Sequence, residues 1–404
     1  MPRAVSTRVG VYFGLLQLVF GLAWVGYVIY LPQLAAQAGI SAAVVGWLLV
    51  ADQIIFACCD WAAGAAVDRV ARLVGRVGAI IAATTTVSTL AFLLLPLVSR
   101  SGTYLFVALI VVWAITSSAL RAPPLALLGR YTPEGRQPWV SSLYVVGVGM
   151  ATASTPFLTG RLAAYDPRIL FGASAVSVFA ATLSIVWAEK ALCRAAPRER
   201  QAPQEFRVGT LLVFLAAALL AQLGFQVHSS INAQRLFAKY ADAKELPALL
   251  ALFWIGFALV TPLASVLAKR LGGVVAMMVG AVVAAASAWA AALATDVVSL
   301  AAAQFVCGAA WGAVMVSAVV AALAIGRHGR EGTAAGALFS VIAVATIARI
   351  ALVTAHGDRV PAIASALPWV PTVSWLAAAT LLLIGVPTLQ RAADTTAPGP
   401  GGRG

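Results

Sequence analysis

The sequence predicts an all-α membrane protein in which twelve transmembrane helices form two pseudo-symmetric six-helix bundles. Three features support this prediction: the composition, the spacing of apolar runs and the distribution of basic residues. Of 404 residues, 62% are hydrophobic and 10% are charged, which is too apolar for a water-soluble chain of this length. The apolar residues form continuous runs, whereas a transmembrane β-barrel requires alternating polar and apolar positions.

Twelve runs are long enough to cross a hydrocarbon layer of about 30 Å, which takes roughly 20 residues. They cover approximately residues 9–31, 42–66, 77–99, 104–128, 140–163, 169–188, 208–231, 247–268, 272–294, 297–325, 333–354 and 370–390. The first run is longer than the apolar segment of a signal peptide, so we interpret it as a helix. The seventh run becomes polar after Gln226.

The longest polar stretch divides the chain into two halves. Residues 189–207 are rich in charge and contain proline, which predicts a cytoplasmic linker between an N-terminal bundle (1–188) and a C-terminal bundle (208–390). Residues 391–404 are predicted to form a disordered cytoplasmic tail. Two weak internal repeats support the division: 60–69 is similar to 261–270, and 129–136 is similar to 326–333.

The basic residues predict the orientation of the chain. The net charge is +13, and with the N-terminus in the cytoplasm 18 of the 27 Lys and Arg residues fall in cytoplasmic segments, against 7 outside. This bias predicts that both termini are cytoplasmic and that the protein lies in the inner (plasma) membrane of a bacterial-type cell. Because the basic residues occupy short loops rather than one soluble face, no nucleic-acid partner is expected.

Motifs of enzymes and metal sites are absent from the sequence. It contains no GxSxG, HExxH or Walker A pattern, and its three histidines are scattered. The four cysteines show no CxxC spacing, and we interpret them as small packing residues. We therefore expect neither an enzyme nor a bound cofactor or metal.

The segment that follows the second run carries a glycine, an acid and several basic residues, namely Gly64, Asp68, Arg69, Arg72, Gly75 and Arg76. It resembles the loop signature G-x-x-x-D-R-x-G-R of the major facilitator superfamily, with a few extra residues before the final Gly-Arg. The resemblance implies that the acid caps a neighbouring helix N-terminus and that the arginines bridge helices, so that one face stays closed until the two halves rock. The alternative is an ordinary basic loop with one stray acid.

A narrower resemblance is to the glycoside-pentoside-hexuronide:cation symporters, the melibiose permease family. It rests on the D-R-x-x-R-x-x-G-R spacing at 68–76, on the glycine and acid spacing from Gly39 through Asp60, and on 121–136, which is similar to P-x-x-A-L-x-x-x-x-T-P-x-x-x-R. The resemblance covers about an eighth of the chain and implies a sugar or glycoside as the solute. Cation-coupled members build a sodium site from carboxylates on helices two and four. Here Phe56 and Arg121 stand at two of those positions, so we expect coupling to protons.

Asp60 and Arg121 lie at matching depths in helices two and four. A charge at membrane depth usually faces a partner or a wet cavity, so we expect these two side chains to form an ion pair that protonation or substrate binding breaks. The alternative is a permanent strut between the helices. Asp52 lies two turns from Asp60 and is a second candidate proton carrier, unless it pairs structurally with a buried cation such as Arg349. Arg349 itself could hold an anionic group or have a structural partner.

In this superfamily helices one, four, seven and ten line the central cavity, so the resemblance implies that their polar and aromatic side chains contact substrate. The candidates are Gln17, Trp24, Tyr27, Ser117, Ser118, Gln222, Gln226, Ser229, Gln304 and Trp311. Amides and rings suit a neutral hydroxylated or amphipathic solute. For each position taken alone, packing or hydrogen bonding between helices is the alternative explanation.

The sequence therefore predicts a monomeric secondary transporter that moves a small organic solute together with protons across the bilayer. It would work by alternating access around a site between the halves. One alternative is a proton-linked efflux antiporter for amphipathic drugs or metabolites. Another is a non-transporting receptor or assembly factor with the same fold.

Overall fold

The structure is a computed structural model that describes residues 7–73, 77–162, 164–195, 208–327 and 329–394. Within these ranges the chain forms helices and no strand. We number the long helices α1 (Thr7–Gln37), α2 (Ala42–Leu73), α3 (Val77–Val98), α4 (Thr103–Tyr131), α5 (Gln137–Leu162), α6 (Pro167–Leu183, continued by Ile185–Ala195), α7 (Val208–Phe237), α8 (Leu246–Leu271), α9 (Gly273–Leu293), α10 (Val297–Ile325), α11 (Glu331–Thr354) and α12 (Val370–Asp394).

These helices have the length and the surface of membrane spans. Ten of them are long and apolar enough to cross a membrane, and the other two, α5 and α12, have 26 and 25 residues. Large apolar side chains point outward, for example Leu263 on α8 and Ile384 on α12, which are 68% and 72% exposed. A soluble protein rarely exposes so much apolar surface, whereas lipid covers it. The predicted fold class is confirmed.

The helix pairings of the two halves are pseudo-symmetric. In the first half α1 packs on α5 and α6, α3 packs on α4 and α6, and α2 packs on α4. In the second half α7 packs on α11 and α12, α9 packs on α10 and α12, and α8 packs on α10. Adding six to each helix number of the first half gives the pairings of the second. The contacts between the halves follow the same rule when the numbering continues from α12 to α1, so that α11 becomes α5. The α2–α11 contact then corresponds to α8–α5, and the α4–α11 contact corresponds to α10–α5.

The ends of some elements differ from the predicted ones. The helix of α6 continues to Ala195, so the first residues of the predicted linker are helical, and Glu189 is buried there. Its carboxylate accepts hydrogen bonds from the backbone N–H groups of Val77 and Gly78, both at 2.9 Å, and so caps α3. Residues 196–207 lie outside the described part of the chain. Helix α12 extends to Asp394, four residues into the predicted tail.

Helix α7 and the segment before α12 also differ from expectation. Helix α7 continues past residue 231 to Phe237, through one π-helical turn at His228–Asn232. The segment between α11 and α12 contains a 3-10 turn, Gly357–Arg359, and a short helix, Pro361–Ala366. An ion pair between Arg235 of α7 and Asp358 fixes this segment to the second half.

Twelve consecutive crossings return the chain to the face from which it starts. We call the face at which α1 begins and α12 ends the terminal face and the other one the opposite face. Near the terminal face, α2 and α11 approach so closely that their backbones touch. A Cβ atom at Gly64 would overlap the carbonyl of Gly332, and one at Gly336 would overlap the carbonyl of Asp60. Glycine at these positions is what allows the two halves to close there.

Replacing Gly64 by alanine tests this contact. We expect Gly64→Ala to lower the free energy of unfolding by about 1–3 kcal/mol, because the added methyl group has no space. Gly160→Ala is the matched control, since no atom lies within 4 Å of a Cβ built at Gly160. Thermal unfolding of the purified protein in detergent measures both. Equal melting temperatures for the two variants would contradict close backbone packing of α2 on α11.

Candidate functional site

Two adjacent prolines break α4 and create the centre of the site. Because Pro124 has no N–H, the carbonyl of Leu120 loses its usual helical donor, and the chain forms a 3-10 turn at Ser118–Leu120. The side chain of Gln17 supplies the missing donor, with Nε2 at 2.7 Å from the Leu120 oxygen. Gln17 therefore satisfies the backbone of α4 and does not extend into open space.

The break directs Arg121 toward α2. Its Nη1 atom lies 3.1 Å from Oδ2 of Asp60, a carboxylate that is fully buried. Its backbone carbonyl accepts a hydrogen bond of 2.9 Å from the hydroxyl of Tyr144 on α5, which holds the turn in place. The structure thus brings together the two charges that matching depth predicts to pair.

The ion pair touches both halves of the molecule. The guanidinium carbon of Arg121 lies 4.8 Å from the ring centre of Phe56 in the first half and 5.3 Å from that of Phe339 in the second. Aromatic faces attract cations, and more strongly when water is excluded. Phe339 is on α11, three residues from Gly336, where the α2 and α11 backbones touch. The surroundings of Arg121 therefore depend on the contact between the halves.

Asp68 links the halves at the terminal face. This buried carboxylate accepts hydrogen bonds from the backbone N–H groups of Gly332, at 2.8 Å, and Thr333, at 2.7 Å, and from the Thr333 hydroxyl. These groups form the first turn of α11, where free N–H groups and the helix dipole favour a negative charge. Asp68 is on α2, so the capping bond joins the first half to the second.

The other residues of this loop are described less completely. Gly64 lies in the α2–α11 contact and Arg69 is exposed beyond it. Arg72 belongs to the last turn of α2, but its side chain is outside the described atoms, and Gly75 and Arg76 lie outside the described residues. Two further contacts close the terminal face: Gly129 of α4 packs on Leu323 of α10, and Glu134 lies 3.5 Å from Arg327.

Asp52 lies in an aromatic cluster nearer to the opposite face. Its Oδ2 accepts a hydrogen bond of 2.6 Å from the hydroxyl of Tyr27. Trp24 packs on Tyr27 and stacks on Trp113, with ring centres 5.4 Å and 5.6 Å apart. Asp52 is 1% exposed, and it has no basic partner among the residues that the structure describes. It does not pair with Arg349.

The predicted side chains of α4, α7 and α10 mostly bond within the protein. Ser117 donates to the carbonyl of Ala114 in its own helix, and Ser118 is buried in the 3-10 turn. Gln304 lies 3.0 Å from Nε2 of the buried His228, and Trp311 stacks on Phe225 at 4.6 Å. The π turn shifts the register after His228, and the hydroxyl of Ser229 lies 3.5 Å from that of Ser230.

Arg349 and Gln226 form a second polar centre, inside the second half. Nε of Arg349 donates to Oε1 of Gln226 at 2.8 Å, and Nε2 of Gln226 donates to the hydroxyl of Thr346 at 2.8 Å. Gln222, one turn earlier on α7, is buried and has no hydrogen-bonding partner within the described ranges. Sequence reasoning missed Phe339, Tyr144 and Thr346, because nothing in the local pattern around them indicates a polar or charged partner.

Two pseudo-symmetric bundles of six helices, with charged side chains buried between them, define the fold of a secondary transporter with parallel repeats. The chain belongs to the Major Facilitator Superfamily, whose profile matches residues 13–349. Members of this superfamily carry small solutes across membranes, so the protein is a transporter and not an enzyme.

Solved structures show the same fold. The human organic anion transporter MFSD10 (TETRAN) is 14% identical, with 95% of this chain and 99% of that chain covered and a TM-score of 0.68. A bacterial homologue of the iron transporter ferroportin in the outward-facing state is 12% identical, with coverages of 94% and 99% and a TM-score of 0.71. The transporter FucP in the outward conformation is 14% identical, with coverages of 95% and 99% and a TM-score of 0.66. Comparison with curated protein sequences gives no significant match.

A double-mutant cycle tests the ion pair. We expect Asp60→Asn alone to lower the free energy of unfolding by about 3 kcal/mol, because it leaves the cation of Arg121 uncompensated, and Arg121→Met alone to have a similar effect. The double variant should be clearly more stable than the sum of the two losses predicts, since both charges are then absent. Unfolding in detergent measures all four proteins. Additive losses would show that the two side chains do not interact.

A second comparison tests the cap between the halves. In Asp68→Ala we expect a cysteine introduced at Leu323 to react with a maleimide about tenfold faster. Each charge-assisted hydrogen bond that is lost contributes about 1.5–3 kcal/mol, so the terminal face opens more often and exposes this buried position. The matched control is Asp296→Ala. Asp296 also caps a helix, α10, but its partners Ser299 and Val298 belong to its own half, and their hydrogen bonds hold the pKa of Asp296 below its usual value. An equal increase in both variants would refute the closing role of Asp68.

Proposed function

We propose that the protein is a monomeric, proton-coupled secondary transporter for a small organic solute in the inner (plasma) membrane. The terminal face is then cytoplasmic. The basic residues support this orientation, because Arg69, Arg136, Lys269, Arg270 and Arg327 all lie on or near that face and positive charge is retained in the cytoplasm. The conformation described here is then one that is closed on the cytoplasmic side.

The observation that carries the proposal is the position of the Asp60–Arg121 pair. Both charges belong to the first half, while the ring of Phe339 that covers Arg121 belongs to the second. Opening the terminal face separates α2 from α11, so it removes Phe339 from Arg121 and admits water to Asp60. A proton that neutralises Asp60 then releases Arg121. Protonation and the closed or open state of the face are coupled in this way.

The cap at Asp68 sets the threshold for opening. Its hydrogen bonds to the first turn of α11 must break before the cytoplasmic side can open. Solute binding between the halves has to supply this energy, since a ligand shifts a two-state equilibrium only by its differential affinity. Asp52, bonded to Tyr27, is a second site at which a proton could be carried.

The resemblance of residues 39–76 and 121–136 to the glycoside-pentoside-hexuronide:cation symporters supports a sugar or glycoside as the solute. Trp24 is half-buried and is suited to stack on the apolar face of such a ring. One observation favours a second candidate, an efflux antiporter for amphipathic compounds. Aromatic clusters flank the centre on both sides, with Trp24 and Trp113 in the first half and Phe225 and Trp311 in the second.

Flux measurements in proteoliposomes test proton coupling. A screen of radiolabelled sugars and amphipathic compounds, with imposed proton and sodium gradients in turn, should first identify a solute that protons drive. For that solute we expect Asp60→Asn to abolish accumulation against a gradient and to retain exchange, because a neutral residue cannot release a proton. The direction of proton-driven movement decides between uptake and efflux.

Asp166→Asn is the control for this measurement, since Asp166 is an exposed helix cap on the opposite face. It should accumulate solute like the unmodified protein. Full accumulation by Asp60→Asn would refute coupling through Asp60 and favour the permanent strut. Accumulation driven by sodium would refute the proton assignment. Absence of flux for every solute would favour the non-transporting receptor or assembly factor.

A further inference from the structure

Arg349 is a cation inside a membrane helix, and it has no acidic partner in the described part of the chain. Its side chain is half-buried, and its Nε donates to Gln226. No carboxylate lies within ion-pair distance of it among the described residues, and no other hydrogen bond to its guanidinium is found there. The amide of Gln226 is neutral, so it orients the guanidinium but does not balance its charge.

The other arginine at membrane depth is fully compensated. Arg121 has the carboxylate of Asp60 at 3.1 Å and aromatic rings on two sides. An arginine remains protonated in proteins, so it cannot escape the penalty of burial by losing its proton. Intramembrane charges that lack a protein partner are costly and mark the pathways of substrates and ions. The missing negative charge beside Arg349 therefore indicates a ligand.

The hydrogen bonds around Arg349 leave one edge of the guanidinium available. The hydroxyl oxygen of Thr346 accepts a hydrogen bond from the side-chain amide of Gln226. This bond turns the amide oxygen of Gln226 toward Arg349, where it accepts a hydrogen bond from Nε. The Thr346 hydroxyl is itself fixed by a hydrogen bond of 2.8 Å to the carbonyl of Ile342. The two Nη groups remain, and their parallel N–H bonds match the two oxygens of a carboxylate.

Arg349 lies nearer to the opposite face than to the terminal face. It is five residues from Thr354, which packs on Gly46 where α2 begins, whereas Asp68, Gly332 and Gly336 close the terminal face at the other end of α11. Gln222, on the same helix as Gln226 and one turn away, is buried without a partner in the described part of the chain and can bind a second polar group of the same molecule.

We propose that the transported solute carries one carboxylate and that Arg349 binds it through its Nη groups. This rests on the transport function proposed above and specifies the chemical class of its substrate. A single negative charge balances a single guanidinium, whereas a dianion such as phosphate would leave an uncompensated charge in the second half. Gln226 and Thr346 are positioning residues, because they hold Arg349 and do not touch the carboxylate.

Ligand-dependent thermal stabilisation of the full chain in detergent at about pH 8.5, where carboxylates carry one charge and inorganic phosphate is mostly a dianion, tests the proposal directly. The probes are two pairs, each of a carboxylate and a neutral analogue, and one further anion: benzoate with benzamide, glucuronate with glucose, and inorganic phosphate. We expect at least one carboxylate to raise the melting temperature of the unmodified protein in a saturable manner, with an affinity at least tenfold higher than that of its neutral partner. Phosphate should have no effect.

Three variants identify the binding group. Arg349→Gln should abolish stabilisation by the carboxylate, Arg349→Lys should weaken it at least tenfold because the paired N–H geometry is lost, and Arg235→Gln should leave it unchanged. Arg235 is the matched control because it is also in the second half but already has Asp358 as its partner. Without ligand, Arg349→Gln should melt at the same temperature as the unmodified protein or higher, since it removes an uncompensated charge. A lower melting temperature without ligand, together with retained carboxylate binding, would show that Arg349 is a structural residue and overturn the proposal.

The outcome is separable from that of the transport function. If carboxylate binding depends on Arg349 but proteoliposomes show no flux, the binding site stands and the transport proposal fails. If a neutral solute is transported equally well by the unmodified protein and by Arg349→Gln, and no carboxylate binds, the transport function stands and this proposal fails. Stabilisation by phosphate in preference to every carboxylate would also overturn it.

Discussion

The close approach of α2 and α11 is the constraint on which the arrangement of charges depends. Because Gly64, Gly332 and Gly336 have no side chain, the two backbones meet, and the carboxylate of Asp68 reaches the first N–H groups of α11. The same approach buries Asp60 and places Phe339 against Arg121. A larger residue in this contact would separate the helices and expose the ion pair, so packing and electrostatics cannot change independently here.

The pseudo-symmetric counterpart of this contact is built differently. Aligning 60–69 with 261–270 places Lys269 over Asp68, and aligning 129–136 with 326–333 places Gly135 over Gly332. A lysine cannot accept hydrogen bonds from backbone N–H groups, so Lys269 does not cap α5 as Asp68 caps α11. A cavity of about 320 Å³ lies there, and Gly135 and Lys269 are among its lining residues. The two helix pairs that join the halves thus share a topology, but the position of the capping carboxylate Asp68 in the α2–α11 pair is occupied by Lys269 in the α8–α5 pair.

The sequence predicts the helices and the depth of their charges well, because the length of a span and the rise per residue are fixed by physics. Asp60 and Arg121 could be matched for this reason. Which neighbour a polar side chain selects depends on the rotation of each helix about its axis, which local patterns do not determine. Gln17 was expected to line the cavity, but it donates a hydrogen bond to the carbonyl of Leu120, which lacks its helical donor because Pro124 has no N–H. Pro124 is 107 residues from Gln17 in the chain. The π turn of α7 changes the spacing that relates Ser229 to Gln226.

The way the buried charges are partnered explains how two tightly packed halves can still separate. Asp60 binds Arg121 and Asp52 binds Tyr27 within the first half, while Arg349 binds Gln226 within the second. Helices α2 and α11 run in opposite directions, with Gly46 against Thr354 and Asp60 against Gly336. Asp52 and Arg349 lie between these two contacts and therefore at similar depth, yet each is held by its own half. An ion pair between them would have to be broken in a medium of low dielectric constant each time the halves rock, which costs several kcal/mol. Polar bonds at Asp68 and Glu134 do cross between the halves, and they lie at the terminal face, where water can replace them as it opens.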